Sequence, residues 1–379
     1  MRIIGRNNKW ILLIILSVLG MLGLISGCES YPTSKGYALA IGLNKVDPAH
    51  YAGWEGELFG CEPDAKDMLR IAKNEGLEAE ELLTSDATRE AVLGKLAILA
   101  EKVKPGDLLV VSYSGHGGNV PDLNEDEVDD NLDETWCLYD GQLLDDELHG
   151  AWMKFEEKVR ILVFSDSCHS GTMLRMRRGD LEIPTPSPRV FKLDKKWKNL
   201  AVPKNLKRAR IMMLPELRKS VESRAAIRER IDPLPPTRDN IEDPTAPSLP
   251  AGDGEELFRP RSIPPLASVK IYQQNRPFYE KLGKEAPKET SNVKASVLLI
   301  SGCEDNQYSG DLMFNGLFTW MLKKVWNDGA FSGDHTKFHQ DIKKLVEQRA
   351  PEQSPHFFLI GEDEQHKDKF THQRPYTME

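Results

Sequence analysis

The sequence predicts an α/β fold in which a mostly parallel β-sheet carries helices on both faces. Apolar runs alternate with amphipathic segments between residues 36 and 171, and the alternation returns from residue 294 onwards. Strands that are buried on both faces of a parallel sheet read as such continuous apolar runs. A long Pro-rich, basic insertion interrupts the pattern, because residues 184–287 hold 16 of the 24 prolines.

The predicted elements follow one another in regular order. The strand "GYALAIGL" precedes the helix "EPDAKDMLRIAKNEG", the short strand "AEELLTS" and the helix "TREAVLGKLAILAEKV". A strand at 108–113, a helix that begins at Asp145 and a strand at 160–165 come next. The second half adds the strand "KASVLLISGC", the helices "GLFTWMLKKVW" and "TKFHQDIKKLVEQRA", and the strand "SPHFFLIG". Because ligands of such sheets bind beyond the carboxyl ends of the strands, a functional site is expected there.

The insertion, residues 172–293, is predicted to be partly disordered. Proline neither continues a helix nor donates to a sheet ladder, and only residues 216–231 have a helical pattern. Residues 175–230 carry 17 Lys and Arg against six Asp and Glu, so this part is strongly basic. A small ordered subdomain is the alternative interpretation of the same residues.

Residues 1–27 predict a lipoprotein signal peptide, and residues 28–35 predict a short tether. A positively charged start precedes the apolar run "WILLIILSVLGMLGLIS", and "ISGC" resembles the lipobox of bacterial lipoproteins. The resemblance implies that Cys28 carries lipid, palmitate included, and anchors the protein in the cell envelope outside the cytoplasmic membrane. Glu29 favours the outer membrane if the cell is Gram-negative. An uncleaved membrane anchor, or an ordinary signal peptide with a chance cysteine, is the alternative.

Charge and cysteine content exclude several classes of protein. A net charge of −9 argues against a nucleic-acid-binding protein. The four cysteines after Cys28 are widely spaced and form no metal-binding pair. Residues 122–147 hold twelve Asp and Glu and no Lys or Arg. Such a density of carboxylates is typical either of a solvated loop or of a Ca²⁺ site.

Two strands end in glycine-rich motifs that contain a histidine and a cysteine. The motif "SYSGHGG" places His116 after one strand, and "SDSCHSG" places Cys168 after the other. An imidazole beside a thiol helps to form the thiolate and then protonates the leaving amine. The flanking glycines, among them Gly117, offer backbone N–H groups for a developing oxyanion. The pattern predicts a cysteine hydrolase, and a plain turn with a structural histidine is the alternative.

Together with the block "ISGCEDNQYSGD" and the following "NGLFTWML", the two motifs resemble the metacaspases and their bacterial caspase-like relatives. The resemblance implies a caspase-like sheet with a large-subunit region at 36–171, a small-subunit region at 294–362 and a tail at 363–379. It implies a dyad in which His116 is the general base and acid and Cys168 is the nucleophile. The backbone N–H groups of Gly117 and Cys168 would form the oxyanion hole.

The same resemblance implies a substrate specificity. Four residues resemble the pocket for P1, the residue before the cleaved bond: Cys61, Asp64, Ser114 and Asp166. Two buried carboxylates would pair with a guanidinium or ammonium group and repel an aspartate. Protein or peptide substrates with Arg or Lys at P1 are therefore expected. The strings "MRRGD" and "KRAR" in the insertion are then candidate sites of self-cleavage.

No cofactor is expected for the chemistry, and Ca²⁺ is considered as an activator. Asp133, Asp145 and Asp146 resemble three of the carboxylates that bind activating Ca²⁺ in some metacaspases. The fourth position of that site is Arg175, which removes one ligand and adds a positive charge.

The expected function is that of a membrane-tethered cysteine endopeptidase. Two alternatives are a catalytically quiet caspase-fold module that binds partners, and another hydrolase or transamidase on the same fold. The presence of both dyad residues and both pocket aspartates argues against the quiet module.

Overall fold

The computed structural model describes residues 34–124, 132–168, 259–288, 292–304, 307–312 and 314–378. The strands are β1 Gly36–Gly42, β2 Glu78–Leu83, β3 Leu108–Ser114, β4 Gly117–Pro121, β5 Leu132–Leu138, β6 Gly141–Leu144, β7 Arg160–Asp166, β8 Arg259–Pro260, β9 Ser296–Ser301, β10 Gly310–Asp311 and β11 His356–Ile360. The helices are α1 Cys61–Asn74, α2 Arg89–Lys102, α3 Asp145–Trp152, α4 Pro265–Gln274, α5 Arg276–Glu285, α6 Leu317–Trp326, α7 His335–Glu347 and α8 Glu364–Thr371.

Six strands form the central sheet, in the order β11-β9-β7-β3-β1-β2. All neighbours in this sheet are parallel except β11, which runs antiparallel to β9. Every residue of β1, β3 and β7 is buried, as expected of central strands that are covered on both faces. The predicted α/β fold with a mostly parallel sheet is therefore confirmed.

Each face of the sheet is covered by its own hydrophobic core. On one face, α2 and α3 pack on the strands, and Trp136 and Trp152 are fully buried in this core. On the other face, α1, α6 and α7 supply the apolar side chains, including Phe318, Phe338 and Trp326. Burial on both faces fixes the strand register, and so it fixes where the carboxyl ends of the strands lie.

Two small sheets lie beside the central one. The strands β4, β5 and β6 form an antiparallel meander, and β8 pairs with β10. None of these five strands was predicted from the sequence. Two of them, β5 and β6, fall within the acidic stretch 122–147, which was interpreted as a loop or a cation site.

The end of the insertion is ordered. Helices α4 and α5 pack on a third apolar cluster, which includes Tyr51, Ile271 and Tyr279. The Tyr279 hydroxyl also pairs with His50 Nε2 at 2.7 Å. The one helix that the sequence pattern predicts in the insertion, 216–231, lies outside the described residues.

The C-terminal residues fold against the sheet. The segment predicted as a tail contains α8, and Tyr376 after it is buried. Arg160 at the start of β7 donates to the Thr377 carbonyl at 2.9 Å. At the other end of the chain, the predicted signal peptide and Cys28 lie outside the described residues. No helix within the described ranges is long and apolar enough to cross a membrane.

Candidate active site

His116 and Cys168 follow the carboxyl ends of two neighbouring strands. Ser114, the last residue of β3, is in register with Asp166, the last residue of β7. His116 and Cys168 each come two residues later, so the parallel pairing carries both to the same edge of the sheet. The two sequence motifs are thereby brought together.

The His116 ring is held in its neutral form. Its Nε2 lies 2.9 Å from the Gly56 carbonyl oxygen, which can only accept, so Nε2 carries the proton. Among the described residues Nδ1 has no hydrogen-bond partner. Burial lowers the pKa of His116 to about 3, and the guanidinium groups of Arg261 and Arg259 also lower it. The Trp54 ring packs on the imidazole, with 4.7 Å between ring centroids.

Two backbone N–H groups converge on one carbonyl oxygen. Gly117 N and Cys168 N lie 2.9 Å and 3.1 Å from the carbonyl oxygen of Arg261. A side chain at position 117 is excluded, because a Cβ there would lie 1.7 Å from the Cys168 carbonyl oxygen. Glycine therefore permits the close approach that aims both N–H groups at the same point. Two N–H groups that point at one oxygen are what the stabilisation of an oxyanion requires.

The Arg261 side chain lies fully buried among three carboxylates. Its Nη2 lies 2.7 Å from Asp64 Oδ2 and 2.9 Å from Asp311 Oδ1. Its Nη1 lies 3.1 Å from Asp166 Oδ1 and donates to Ser114 Oγ at 2.8 Å. The planar fork of a guanidinium suits such a set of acceptors.

Each of the three carboxylates also has protein donors of its own. Asp64 accepts from the Ser114 hydroxyl at 2.7 Å and from Gly316 N at 3.0 Å. Asp166 accepts from the hydroxyls of Ser309 and Thr319, at 2.6 Å and 2.7 Å. Asp311 accepts from two backbone N–H groups, those of Phe59 and Gly60. These bonds orient the carboxylates independently of the arginine.

Burial changes the acidity of the pocket. It raises the pKa of Asp64 to about 6, the nearby Asp166 raises it as well, and Arg261 opposes them. Burial also raises the pKa of the Cys61 thiol well above its ordinary value, partly offset by Arg261 and by the Ser114 hydroxyl. Cys61 is thus a neutral part of the pocket wall. All four residues that the sequence analysis assigned to this pocket lie around Arg261.

The thiol and the imidazole are not hydrogen-bonded to each other. Cys168 Sγ instead accepts from Ser309 N at 3.1 Å, and the residue is fully buried. Catalytic hydrogen bonds can be long or poorly aligned until the reacting complex forms, and the dyad stays a prediction.

Sequence reasoning missed several residues of the site. Asp311 and Ser309 stand in the quoted block "ISGCEDNQYSGD", but only the fold brings this block to the pocket. Gly56 and Trp54 come from a loop with no recognisable motif. Arg261 belongs to the string "RPRS" in the insertion. The predicted self-cleavage strings "MRRGD" and "KRAR" lie outside the described residues.

The three carboxylates predicted for Ca²⁺ are buried at the ends of the meander. Asp145 accepts from the backbone N–H groups of Glu134 and Asp146, and Asp146 accepts from the Asn124 side chain. Asp133 lies on β5, opposite Val120. No group of three or more His, Cys, Asp and Glu within the described ranges is arranged to hold a metal ion. Residues 125–131 and Arg175, which belong to the same predicted Ca²⁺ region, lie outside the described residues.

Comparison with known proteins agrees with this geometry. The family model described as the caspase domain of peptidase C14 matches residues 35–362. The chain belongs to the caspase domain family. Within that family, metacaspase-1 of Emericella nidulans and metacaspase-1 of Pyricularia oryzae are both 38% identical to it. These alignments cover 38% of this chain, and 37% and 38% of the two relatives. The chain thus matches little more than a third of the length of these curated relatives.

A solved structure is similar to this chain over nearly its whole length. The crystal structure of protein GSU0716 from Geobacter sulfurreducens is 36% identical, with a TM-score of 0.63. The match covers 91% of this chain and 99% of that one.

Proposed function

We propose that this chain is a cysteine endopeptidase that hydrolyses peptide bonds on the carboxyl side of Arg or Lys. One observation carries the proposal. The Arg261 side chain fills a pocket of three carboxylates while its own carbonyl oxygen accepts from Gly117 N and Cys168 N. A P1 residue at the moment of cleavage needs both contacts together.

The proposed reaction uses groups already in place. Cys168 Sγ attacks the P1 carbonyl carbon, its proton passes to His116 Nδ1, and the N–H groups of Gly117 and Cys168 hold the oxyanion. The C–N bond breaks as His116 returns the proton to the leaving amine. Water then hydrolyses the thioester, with His116 as its base, and the thiol is restored. The Gly56 carbonyl acts as a positioning group that keeps Nδ1 free.

The pocket favours arginine over lysine. Both terminal nitrogens of Arg261 are used, whereas a lysine ammonium reaches fewer of the same acceptors. Losing one hydrogen bond to a charged group costs about 1.5–3 kcal/mol. We therefore expect kcat/KM for Arg peptides to exceed that for Lys peptides by about 10- to 100-fold. An aspartate at P1 faces three carboxylates and is rejected.

The test compares the full chain, purified in detergent, with its Cys168→Ala variant. Fluorogenic peptides that end in Arg, Lys or Asp report the turnover, and Cys303→Ala is the matched control for a buried thiol outside the dyad. We expect turnover of Arg and Lys peptides that is lost only in Cys168→Ala. A folded chain that turns over none of the peptides would contradict the proposal.

Calcium activation stays a prediction of the sequence. The same assay with Ca²⁺ or with a chelator tests it, and Asp146→Asn reports on the acidic residues. Equal turnover with Ca²⁺ and with the chelator would exclude Ca²⁺ as an activator.

We also propose that the chain acts at the cell envelope, held there by lipid on Cys28. The support is the sequence "ISGC" after an apolar run. Mass spectrometry of the protein expressed in a bacterial host would detect the lipid, and Cys28→Ala should move the protein out of the membrane fraction. Membrane association that is unchanged in Cys28→Ala would leave an uncleaved anchor as the explanation.

A further inference from the structure

Ser309, which stands directly before β10, contacts both the thiol and the pocket proposed for P1. Its backbone N–H donates to Cys168 Sγ at 3.1 Å, and its hydroxyl donates to Asp166 Oδ1 at 2.6 Å. The residue is fully buried. One residue therefore joins the sulfur to a carboxylate that binds the guanidinium.

The hydroxyl of Ser309 orients the oxygen of Asp166 that faces the guanidinium. Asp166 Oδ1 lies 3.1 Å from Arg261 Nη1, whereas Oδ2 accepts from the backbone and the hydroxyl of Thr319. Gln353 Nε2 lies 3.2 Å from Ser309 Oγ and can only donate, so the single hydroxyl proton points to Asp166. The serine thus keeps Oδ1 in place as an acceptor.

The backbone N–H of Ser309 favours the reactive form of the thiol. The thiolate is the nucleophile of a cysteine enzyme, and a hydrogen-bond donor close to the sulfur stabilises its negative charge. The neutral His116 ring adds no positive charge, because burial lowers its pKa to about 3. The carbonyl oxygen of Ser309, which would favour the protonated thiol, lies farther from Sγ, at 3.7 Å. The N–H group therefore makes the closer contact.

Gln353 holds Ser309 from the loop between α7 and β11. Its side chain is fully buried. Besides Ser309 Oγ, Nε2 donates to the Gly302 carbonyl at 2.8 Å, and Oε1 accepts from Gly310 N at 3.3 Å. A Cβ at Gly302 would lie 2.9 Å from Ser309 Oγ, so the hydroxyl is also packed closely against the end of β9. These contacts fix both the hydroxyl and the backbone that follows it.

We infer that Ser309 is a further catalytic residue, whose N–H stabilises the Cys168 thiolate and whose hydroxyl orients Asp166 for a P1 arginine. Gln353 is the positioning residue that keeps Ser309 in place for both contacts. The inference rests on the proposed function and adds two residues to the same site. Because the two contacts use different atoms of Ser309, they can be removed separately.

Two measurements on the full chain in detergent distinguish the contacts. Steady-state kinetics with an Arg peptide report on the pocket through KM and kcat. Iodoacetamide alkylates the thiolate without using the P1 pocket. The alkylation rate is followed as the loss of Arg-peptide turnover, so that only active molecules are counted.

The variant Ser309→Ala removes the hydroxyl and keeps the N–H. KM for the Arg peptide should rise about tenfold while kcat stays within about twofold, because the lost orientation of Asp166 affects ground state and transition state alike. The rate of inactivation by iodoacetamide should equal that of the wild type. Ser332→Ala, in the exposed loop between α6 and α7, is the matched control and should change neither quantity. An unchanged KM in Ser309→Ala would overturn the pocket role.

The variants Ser309→Pro and Gln353→Met test the contact with the thiol. Proline removes the N–H itself, and methionine keeps the length of Gln353 without its hydrogen bonds. Inactivation by iodoacetamide should slow by about tenfold in each, since less of the thiol is ionised. Gln348→Met, exposed at the end of α7, is the control for the second variant. Melting temperatures check folding, and if Ser309→Pro does not fold, Gln353→Met carries the comparison.

The outcomes separate this inference from the proposed function. Inactivation of the folded variants at the wild-type rate would overturn the thiol role of Ser309. Turnover of Arg peptides by the wild type, with KM and inactivation rate unaltered in all three variants, would overturn the whole inference and leave the proposed function intact. A folded wild type that turns over no Arg peptide would overturn the proposed function itself.

Discussion

Asp311 supplies a third negative charge to the pocket that holds Arg261. It lies 2.9 Å from Nη2 of the arginine, and the N–H groups of Phe59 and Gly60 hold it in place. Because these N–H groups belong to the backbone, the carboxylate keeps its position when no arginine is bound. We therefore propose that Asp311 contributes to P1 selectivity together with Asp64 and Asp166.

The variant Asp311→Asn should weaken the cleavage of Arg peptides. It removes one charged hydrogen bond to the guanidinium, worth about 1.5–3 kcal/mol, so kcat/KM should fall about 10- to 100-fold. Steady-state kinetics with an Arg peptide measure the loss. Asp341→Asn, on the surface of α7, is the matched control and should leave kcat/KM unchanged. An Asp311→Asn enzyme as fast as the control would exclude this role.

The ionisation of Asp64 should give the reaction an acidic limit. Burial raises the pKa of this carboxyl to about 6, and the ionised form is the one that binds a guanidinium. In the structure, Arg261 lowers the pKa of Asp64. When Arg261 is out of the pocket, the pKa of Asp64 should therefore rise further, and the carboxyl should be protonated as the pH falls to about 6. We expect kcat/KM for Arg peptides to fall as the pH drops through this value. A profile that is flat down to pH about 4, where ordinary carboxyls titrate, would contradict this.

For single residues of the site, the sequence predicted those that directly follow a strand. It did not predict those that reach the site from distant parts of the chain. His116 and Cys168 follow apolar strands directly, so the rule for parallel sheets locates them. The Gly56 carbonyl reaches His116 from a loop 60 positions earlier in the chain. No local pattern marks such a carbonyl, because any residue has one.

Helix α6 begins at the floor of the pocket, and its start depends on a glycine. Gly316 N donates to Asp64, and a Cβ at this position would lie 2.2 Å from Asp166 Oδ2 and 2.6 Å from Arg261 Cζ. The space that a side chain would fill is the space that the guanidinium occupies.

The variant Gly316→Ala should therefore exclude arginine from the pocket. We expect kcat/KM for Arg peptides to fall by about 100-fold, since the guanidinium loses its place beside Asp166. Gly94→Ala in α2 is the matched control, because a Cβ there meets nothing within 4 Å. The control should keep full activity and gain stability, by about 0.5–1 kcal/mol in the unfolding free energy. Equal activity of the two variants would show that the pocket can rearrange around an extra methyl group.

The helices and strands that the sequence failed to predict have identifiable causes. Proline was interpreted as a helix breaker, yet Pro265 and Pro277 lie in the first turns of α4 and α5, where the ring is favoured. Strand β5 was not predicted because acidic residues are typical of exposed loops, whereas Asp133 and Glu134 are buried in this strand. By contrast, β1, β3, β7 and β9 each contain an apolar run, and their positions followed from the sequence alone.

For the molecule as a whole, the alternation of strands and helices was enough to predict the fold class. It did not give the strand order, in which β9 lies beside β7 although the whole insertion separates them in the chain. Nor did it show that the insertion returns to the active site, since that depends on Arg259 and Arg261 finding acceptors far away in sequence. Long-range pairing of this kind has no local signature.

The position of β9 next to β7 decides what becomes of a chain that is cut within the insertion. The strands pair from Arg160 with Ser296 to Ser165 with Ser301, and the cut falls between them in sequence. Two separate polypeptides therefore remain joined in one sheet, as a non-covalent heterodimer that migrates as two bands under denaturing conditions and as one particle on a sizing column. Cys168 and Asp64 come from the first polypeptide and Asp311 from the second. Neither half should cleave arginine peptides alone, and activity regained by mixing the refolded halves should depend on their concentrations.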